Sequence, residues 1–356
     1  MSAAALTTGG RRAGGIQSRL FTALGLLTPF ALALAVGGLV LAATGRDALG
    51  TYRLLFEQAF GGPTQLANTL VAATPLLFTG LATALAFRAG VFNIGVEGSL
   101  YAGAFAAAWV GFTFTGLPGP LLIAAALAAA ALAGALWGLP ATLARAWVGV
   151  DEVVTTLMLN YVAILLTGYL VNERFLAPGV ANSMSPLVAD QARLQPLLAR
   201  TQLTVAFLAA IAAATLYALL FRSTAVGYEL RMAGLGPRFA AASGIGLAGV
   251  ILLAMLASGL LAGIAGGFQV LGVNYRFVDR FSPGYGFTGI AVALLGRNTA
   301  LGVVLAALFF GALANGGAMI QLFSDVPIDL INVLQGTVMI LAVVQLRRFG
   351  RRPRHA

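Results

Sequence analysis

The chain has 356 residues, of which 60% are hydrophobic and only 9% charged, and its formal net charge is +10. This composition excludes a soluble globular protein and suffices for on the order of ten membrane-spanning helices of ~20 apolar residues each. The chain lacks lysine and cysteine, and its one histidine, His355, is next to last. These absences exclude a Walker A loop, Schiff-base and thiolate chemistry and an intramembrane His triad, so neither an enzyme nor a cofactor or metal is expected.

The arginines that produce the net charge are concentrated at the two ends of the chain. Residues 1–19 contain three arginines and residues 347–356 contain five, with no acidic residue in either tail. Because arginine-rich ends stay on the cytoplasmic side of a membrane, the sequence predicts that both tails are cytoplasmic. Membrane topology by itself accounts for such short basic ends, so no nucleic-acid partner is expected.

Between the tails, residues 20–346 are predicted to form the membrane domain. The first apolar stretch is longer than the core of a cleaved signal peptide and is interpreted as an uncleaved helix. A polar segment, 172–200, is expected outside the cell, and an arginine-rich segment, 222–246, in the cytoplasm, as is a connection that contains Arg145. In chain order, the predicted spans are 20–43, 65–87, 95–115, 117–141, 153–171, 202–221, 247–272, 300–322 and 328–346.

The number of these spans conflicts with two cytoplasmic tails, which require an even number of crossings. After residue 272, the only remaining apolar stretch is 285–295, whose eleven residues are too few for one regular crossing. Irregular backbone at membrane depth must be buried in protein or line a cavity, because lipid cannot satisfy its hydrogen bonds. The sequence therefore predicts an all-α polytopic membrane protein with about ten transmembrane helices, one of them a short broken crossing.

Two segments combine glycines with polar side chains: 90–98 (GVFNIGVEG) and 282–289 (SPGYGFTG). Glycine permits unwound backbone that can face a solute, and paired broken segments in the two halves of a transporter indicate its transport path. Alternatively, the glycines serve only close helix packing. The candidate path or gate residues are Phe92, Asn93, Gly95, Glu97, Gly98, Gly284, Tyr285, Gly286, Phe287 and Thr288.

Individual polar and aromatic residues in the spans leave alternatives open. Glu97 is costly in a membrane and could serve transport, or it could compensate the positive end of its own helix. Asp151 and Glu152 are interpreted as an N-cap and as dipole compensation. Five amides, which are Asn160, Asn315, Gln321, Asn332 and Gln335, favour hydrogen bonds between helices over solute contacts. Five aromatic residues either stack on a sugar or base or anchor the chain at the interface; they are Phe92, Tyr101, Trp109, Tyr285 and Phe287.

The segment 222–246 is predicted to contain a short helix. Pro237 stands at its first turn and Gly244 follows its end, which is the usual punctuation of a helix. A short helix held between two spans is suited to docking against a partner. The residues assigned to this loop are Glu229, Arg231, Gly234, Pro237, Arg238, Ala240, Ala241, Gly244 and Ile245.

Three stretches resemble the permease subunits of ABC importers for branched-chain amino acids, ribose and nucleosides, most closely the nucleoside permeases. They are FRAGVFNIGVEG (87–98), GLGPRFAAASGI (234–245) and FSPGYGFTGIAVALLG (281–296). The resemblance runs from about residue 65 to residue 346. It implies a heterodimer with a second permease, two cytoplasmic ATP-binding subunits and an external solute-binding lipoprotein. It also implies that 234–245 is a coupling helix, although Gly236 stands where the family often has asparagine.

The sequence thus predicts a plasma-membrane permease subunit that imports a nucleoside or related simple sugar by alternating access, with ATP hydrolysed on another chain. One alternative is a proton-coupled secondary transporter that uses Glu97. The other is an intramembrane enzyme, which the lack of embedded His, Cys and Lys disfavours.

Overall fold

The computed structural model describes residues 47–148 and 150–323, with a few shorter stretches at 35–39, 41–42, 45, 333, 336–337 and 340. Two compact units are present. One consists of residues 55–319 and the other of residues 1–54 and 320–356. In the second unit, Gly38 lies beside the ring of Tyr52. The account below concerns residues 55–319.

In the described part of the chain, the regular elements are helices, joined by irregular segments and by an isolated β-bridge between Met184 and Val278. The α-helices are α1 (Ala48–Phe60), α2 (Pro63–Arg88), α3 (Val96–Thr113), α4 (Gly119–Trp137), α5 (Leu139–Val148), α6 (Glu152–Glu173), α7 (Val205–Ser223), α8 (Ala225–Leu235), α9 (Pro237–Ala242), α10 (Leu247–Gln269), α11 (Tyr285–Leu295) and α12 (Ala300–Phe323). A π-helical turn, Val270–Asn274, continues α10.

Six helical stretches in the described residues are long and apolar enough to cross a membrane, and each matches a predicted span. They are Pro63–Arg88, Gly119–Arg145, Glu152–Glu173, Val205–Ser223, Leu247–Asn274 and Ala300–Ile320. The predicted span 95–115 corresponds to the 18-residue helix α3, which is not one of the six. The spans 20–43 and 328–346 lie almost wholly outside the described residues, as do both tails. The count of ten and the cytoplasmic tails therefore stay predictions.

Glycines bring α3, α4 and α10 into backbone contact. A Cβ atom added at Gly134 would lie 2.6 Å from the Cα of Gly263, and one added at Gly103 would lie 2.8 Å from the carbonyl carbon of Gly263. Small residues allow this approach in membranes, where dispersion replaces the hydrophobic effect as the force between helices. Close glycine packing therefore occurs among α3, α4 and α10, outside the two glycine segments.

Two connections differ from the prediction. Arg145 was expected in a loop but lies in α5, because the helical stretch continues past Gly138 instead of stopping. The segment 222–246 contains α8 in addition to the predicted short helix α9. Thr224 ends α7 and starts α8, since its hydroxyl accepts the Gly227 N–H at 3.0 Å, and its side chain thereby supplies an N-cap.

The chain between the π-helical turn and α11 is irregular and pairs with the polar segment after α6. Backbone N–H groups of Ser185 and Val188 donate to the carbonyls of Phe277 and Tyr275, and that of Leu194 donates to Leu271 in the π-helical turn, each at 2.9 Å. With eleven residues, α11 is about 16 Å long, roughly half of a ~30 Å hydrocarbon core. The apolar stretch 285–295 therefore forms a short helix, and its role as a membrane crossing stays a prediction.

The two ends of the bundle can be distinguished by their contacts. At one end, here called the loop-helix end, Arg88 approaches the ring of Phe221 to 4.5 Å and the Tyr217 hydroxyl donates to the Asn298 carbonyl at 2.7 Å. Helices α8 and α9 lie at this end. The opposite end, the long-loop end, carries residues 174–204. The segment 275–295 leads from the long-loop end to the loop-helix end.

Candidate functional site

The first glycine segment enters the bundle as extended chain. Gly90 has a positive φ of 78°, which favours glycine. The next residues run beside the start of α6, where the Ile94 N–H donates to Thr156 at 3.2 Å and the Asn160 amide donates to the Ile94 carbonyl at 2.9 Å. Protein partners thereby satisfy the irregular backbone. Helix α3 consequently starts inside the bundle, beyond the level at which α2 ends.

The second glycine segment is organised around Ser282. Its hydroxyl accepts the N–H groups of Gly284 and Tyr285 at 3.1 and 3.0 Å. The Ser282 N–H donates to the Tyr101 hydroxyl at 3.3 Å, and Thr79 of α2 donates to the Tyr285 carbonyl at 3.0 Å. Gly284, with φ of 93°, makes the turn into α11.

Glu97 joins the two glycine segments. Its side chain is only 2% exposed, and its carboxylate accepts the Gly286 N–H at 2.5 Å. It also hydrogen-bonds the side chain of Ser282. The positive N-terminal ends of α3 and α11 meet here, which compensates a negative charge in a dry environment. Glu97 therefore lies in the first turn of its own helix and also caps a second one.

Helix α11 packs so closely against α3 and α2 that no side chain fits at its glycines. A Cβ atom at Gly286 would lie 2.7 Å from the Cα of Glu97, and one at Gly289 would lie 2.6 Å from the Thr79 hydroxyl oxygen. Both distances are shorter than van der Waals contact. These two glycines fix how closely α11 approaches α3 and α2.

The structure brings the candidate path residues together, but most of them face protein. Asn93 is buried, donates to Ser258 of α10 at 2.9 Å and accepts the Gly95 N–H at 2.9 Å. Gly95, Gly98 and Gly286 are also buried, whereas Gly284, Tyr285 and Thr288 are partly exposed. Phe92 is 55% exposed and Phe287 is 39% exposed. In this chain, these two aromatic rings are the large side chains of the set that are open to an approaching molecule.

Two of the amides serve as hydrogen bonds between elements, as predicted. Asn160 accepts the Gly98 N–H at 2.8 Å, and Asn315 donates to the Gln58 carbonyl at 3.1 Å and to Thr69 at 3.1 Å. The side chains of Gln321, Asn332 and Gln335 lie outside the described residues.

Replacing Asn160 by leucine is expected to lower the thermal stability of the purified protein. The change leaves the Gly98 N–H and the Ile94 carbonyl buried without a partner, at a cost of about 1–3 kcal/mol. Thr215→Val is the control, because Thr215 is exposed and its hydroxyl contacts only the Ile211 carbonyl of its own helix. Unfolding in detergent, followed by intrinsic fluorescence, measures both variants. Equal midpoints for Asn160→Leu and the control would contradict the assignment.

Asp151 and Glu152, at the start of α6, have different roles. Asp151 accepts the Val153 N–H at 2.8 Å, which confirms the predicted N-cap. Glu152 is buried, forms an ion pair with Arg145 and accepts the Phe92 N–H at 3.5 Å. The sequence interpretation missed this second role, because the continuation of helix into α5 is what carries Arg145 to Glu152.

The aromatic residues at the long-loop end pack on one another. Tyr101 is buried and neither anchors at an interface nor faces open space; its ring centroid lies 4.8 Å from Phe281 and 6.3 Å from Phe277. Trp109 is 40% exposed and packs edge-on against Phe114. Through Phe277 and Phe281, these aromatic contacts tie the chain that leads into α11 to Tyr101 of α3.

The loop helices present an uncovered surface and touch the first glycine segment. In α9, Ala240 is buried, whereas Pro237, Arg238, Phe239 and Ala241 are exposed. Gly244, with φ of 85°, ends this helix, and the Ile245 N–H returns to the Ala240 carbonyl at 3.0 Å, as in a glycine C-cap.

The contact with the first glycine segment is made by backbone. A Cβ atom at Gly90 would lie 3.0 Å from the Cα of Gly234, and one at Gly234 would lie 3.0 Å from the Gly90 nitrogen. Of the other predicted loop residues, Glu229 is exposed and Arg231 donates to the Phe221 carbonyl. The end of α8 therefore lies directly against the chain that leads to Asn93 and Glu97.

The described residues contain no group of three or more His, Asp or Glu side chains placed to hold a metal ion. The polar groups of the site are mainly amides, hydroxyls and backbone, with the carboxylate of Glu97 between them and that of Glu152 beside Phe92. Such a set can hold helices in alternative arrangements or bind a neutral polar solute.

Comparison with known proteins assigns the chain. Residues 65–343 match the family described as branched-chain amino acid transport system / permease component. The chain belongs to this permease family. The match includes both glycine segments and the loop helices, and the permease is accordingly a multi-pass protein of the plasma membrane.

Three relatives are similar over most of their length. The permease is 36% identical to the glucose ABC transporter permease protein TsgB13 of Haloferax volcanii, covering 87% of this chain and 84% of that one. It is 35% identical to the guanosine ABC transporter permease protein NupP of Bacillus subtilis, covering 87% and 89%. It is 29% identical to the nucleoside ABC transporter permease protein NupB of Lactococcus lactis, covering 87% of each chain. No solved structure matches the permease.

Proposed function

We propose that this permease imports a nucleoside or a related simple sugar by alternating access, powered by ATP hydrolysis on separate subunits. Relatives named for guanosine, nucleosides and glucose support this class of solute. The lack of lysine in the chain agrees with a motor on another protein, because a Walker A loop requires one.

The observation that carries the mechanism is a continuous series of contacts from the loop helices to the starts of α3 and α11, made first by backbone and then by the Glu97 side chain. Gly234 touches Gly90, and the chain from Gly90 leads to Glu97, whose carboxylate holds Gly286. A displacement of α9 by a partner would be transmitted through this series to the starts of α3 and α11. A ligand or partner shifts the equilibrium between the outward-open and inward-open states only if its contacts differ between these two states.

We propose three kinds of partner, because membership of an ABC permease family implies ATP-binding and substrate-binding partners in general. The uncovered face of α9 would dock in a groove of an ATP-binding subunit, with two such subunits in the complex. A second, non-identical permease would complete the path beside Phe92 and Phe287, which are exposed in the single chain. An external solute-binding lipoprotein would dock on the long-loop end, at residues 172–200, and both tails would be cytoplasmic.

Reconstituted complex is expected to accumulate radiolabelled guanosine or another nucleoside more than glucose, and only with ATP inside and the binding protein outside. Glucose, ribose and branched-chain amino acids serve as competing solutes. If an amino acid were accumulated instead, or if no solute required ATP, the proposal would be wrong.

A proton-coupled mechanism through Glu97 can be distinguished in the same vesicles. If ATP drives transport, uptake should persist when an uncoupler collapses the proton gradient while ATP is maintained. Loss of uptake under this condition would favour the secondary transporter.

A further inference from the structure

An apolar groove between α7 and α10 is unrelated to the polar site. It has a cavity volume of about 730 Å³ and lies among Phe78, Leu127, Ala213, Leu260, Ile264 and Phe268, with α2 at its base. This volume is within the range of ~300–1,000 Å³ typical of ligand sites.

The groove offers nothing to a polar solute. Its only side chains with polar atoms are Tyr217 and Thr224, and both hydroxyls already donate, to the carbonyls of Asn298 and Leu220. A sugar or nucleoside would lose its hydrogen bonds with water there and regain none, which is unfavourable by several kcal/mol per group as an order of magnitude. Hydrocarbon is the matching occupant.

The groove is longer than the hydrocarbon of one leaflet. Its lining on α7 extends from Ala209 to Thr224, which is about 22 Å along the helix. One leaflet contributes roughly 15 Å of hydrocarbon. An acyl chain that starts at the Thr224 end would therefore lie within the groove over its full length.

Two arginines lie near the Thr224 end of the groove. The Arg88 guanidinium lies 5.9 Å from the ring of the lining residue Tyr217 and 4.5 Å from the Phe221 ring, and Arg231 donates to the Phe221 carbonyl. Among the described residues, neither of the two forms an ion pair with a carboxylate, and the acid of α8, Glu229, is exposed. Positive charge at the membrane surface beside a hydrocarbon groove matches a lipid with an anionic headgroup.

We propose that this groove binds one acyl chain of an anionic phospholipid, with the headgroup phosphate beside Arg88 and Arg231. The bound lipid fills the space between α7 and α10 and neutralises the arginines at the loop-helix end. Zwitterionic lipid would enter the same groove but would lack the net negative charge that these arginines attract.

The test uses the full-length permease in nanodiscs that contain phosphatidylglycerol or phosphatidylcholine with a diazirine at the end of one chain. After illumination, mass spectrometry maps the labelled peptides. We expect label on α7 and α10 from phosphatidylglycerol at about five times the level from phosphatidylcholine, or more, as an anionic headgroup near two arginines implies.

Two matched pairs of variants separate the parts of the site. Ala213→Trp fills the groove and should remove the label, whereas Ala218→Trp, on the exposed side of α7 and outside the groove, should not. Arg231→Gln should reduce the phosphatidylglycerol label toward the phosphatidylcholine level. Arg174→Gln, at the long-loop end, should leave it unchanged.

Equal labelling by the two lipids in the unmodified protein would overturn the proposal. So would labelling that Ala213→Trp leaves intact. Absence of lipid label on α7 and α10 would also overturn it, and would indicate that another part of this chain or a partner subunit covers the groove. The exposed arginine variants keep the test decisive even if the tryptophan variant fails to fold.

Discussion

Gly286→Leu is expected to reduce uptake by at least about tenfold while leaving the protein in the membrane. A side chain at this position collides with the Cα of Glu97, because a Cβ atom would lie only 2.7 Å from it. Overpacking of this kind costs about 1–3 kcal/mol, and 1.4 kcal/mol corresponds to a factor of ten in an equilibrium. The collision also breaks the hydrogen bond that holds α11 to Glu97. Uptake of radiolabelled nucleoside per unit of membrane-inserted protein measures the effect.

Gly249→Leu is the control for this substitution. Gly249 lies in α10, and a Cβ atom there meets no other atom within 4 Å. The same change of residue should therefore leave uptake near the unmodified level. Normal uptake by Gly286→Leu would show that close contact between α11 and α3 is not needed for transport.

Gly234→Val is expected to abolish uptake while the ATP-binding subunit still co-purifies. A Cβ atom at Gly234 would lie 3.0 Å from the Gly90 nitrogen and would overlap the Arg88 carbonyl oxygen, so the side chain forces α8 away from the glycine segment. The face of α9 that would dock the partner is unchanged. Loss of transport with retained assembly would indicate that movement of the loop helices no longer reaches the first glycine segment.

Gly236→Val provides the comparison two residues away. Gly236 has φ of −162°, which any residue can adopt, and a Cβ atom there meets only the Cβ of Phe239 at 3.7 Å. Uptake, basal ATP hydrolysis and co-purification are measured for both variants. Equal uptake by the two would contradict the proposed route through Gly90. Loss of co-purification in Gly234→Val would assign the position to docking instead.

Several features of the site followed from the sequence because they depend on local rules. Pro237 and Gly244 set the bounds of α9, since proline is compatible with a first helical turn and glycine with a positive φ. Asp151 was recognised as an N-cap from its place before an apolar run. The half-length of α11 followed from the short apolar stretch alone.

Other features depend on contacts between residues far apart in the chain. The partner of Glu97 is Gly286, 189 positions later, and the contact of Gly90 is with Gly234. A glycine in a sequence shows that close approach is possible, but it does not show which backbone approaches. The ion pair of Arg145 with Glu152 was missed for a related reason, as it requires the unpredicted helix α5.

The sequence by itself determined that this protein belongs in a membrane, where most of its spans lie, and which two segments leave regular helix. Those properties follow from hydropathy and backbone rules that act over a few residues. Only the tertiary structure decided that Glu97 faces Gly286 instead of solvent, that the loop helices touch the first glycine segment, and that α7 and α10 enclose an apolar groove. These are matters of which surfaces meet, and packing among many helices settles them.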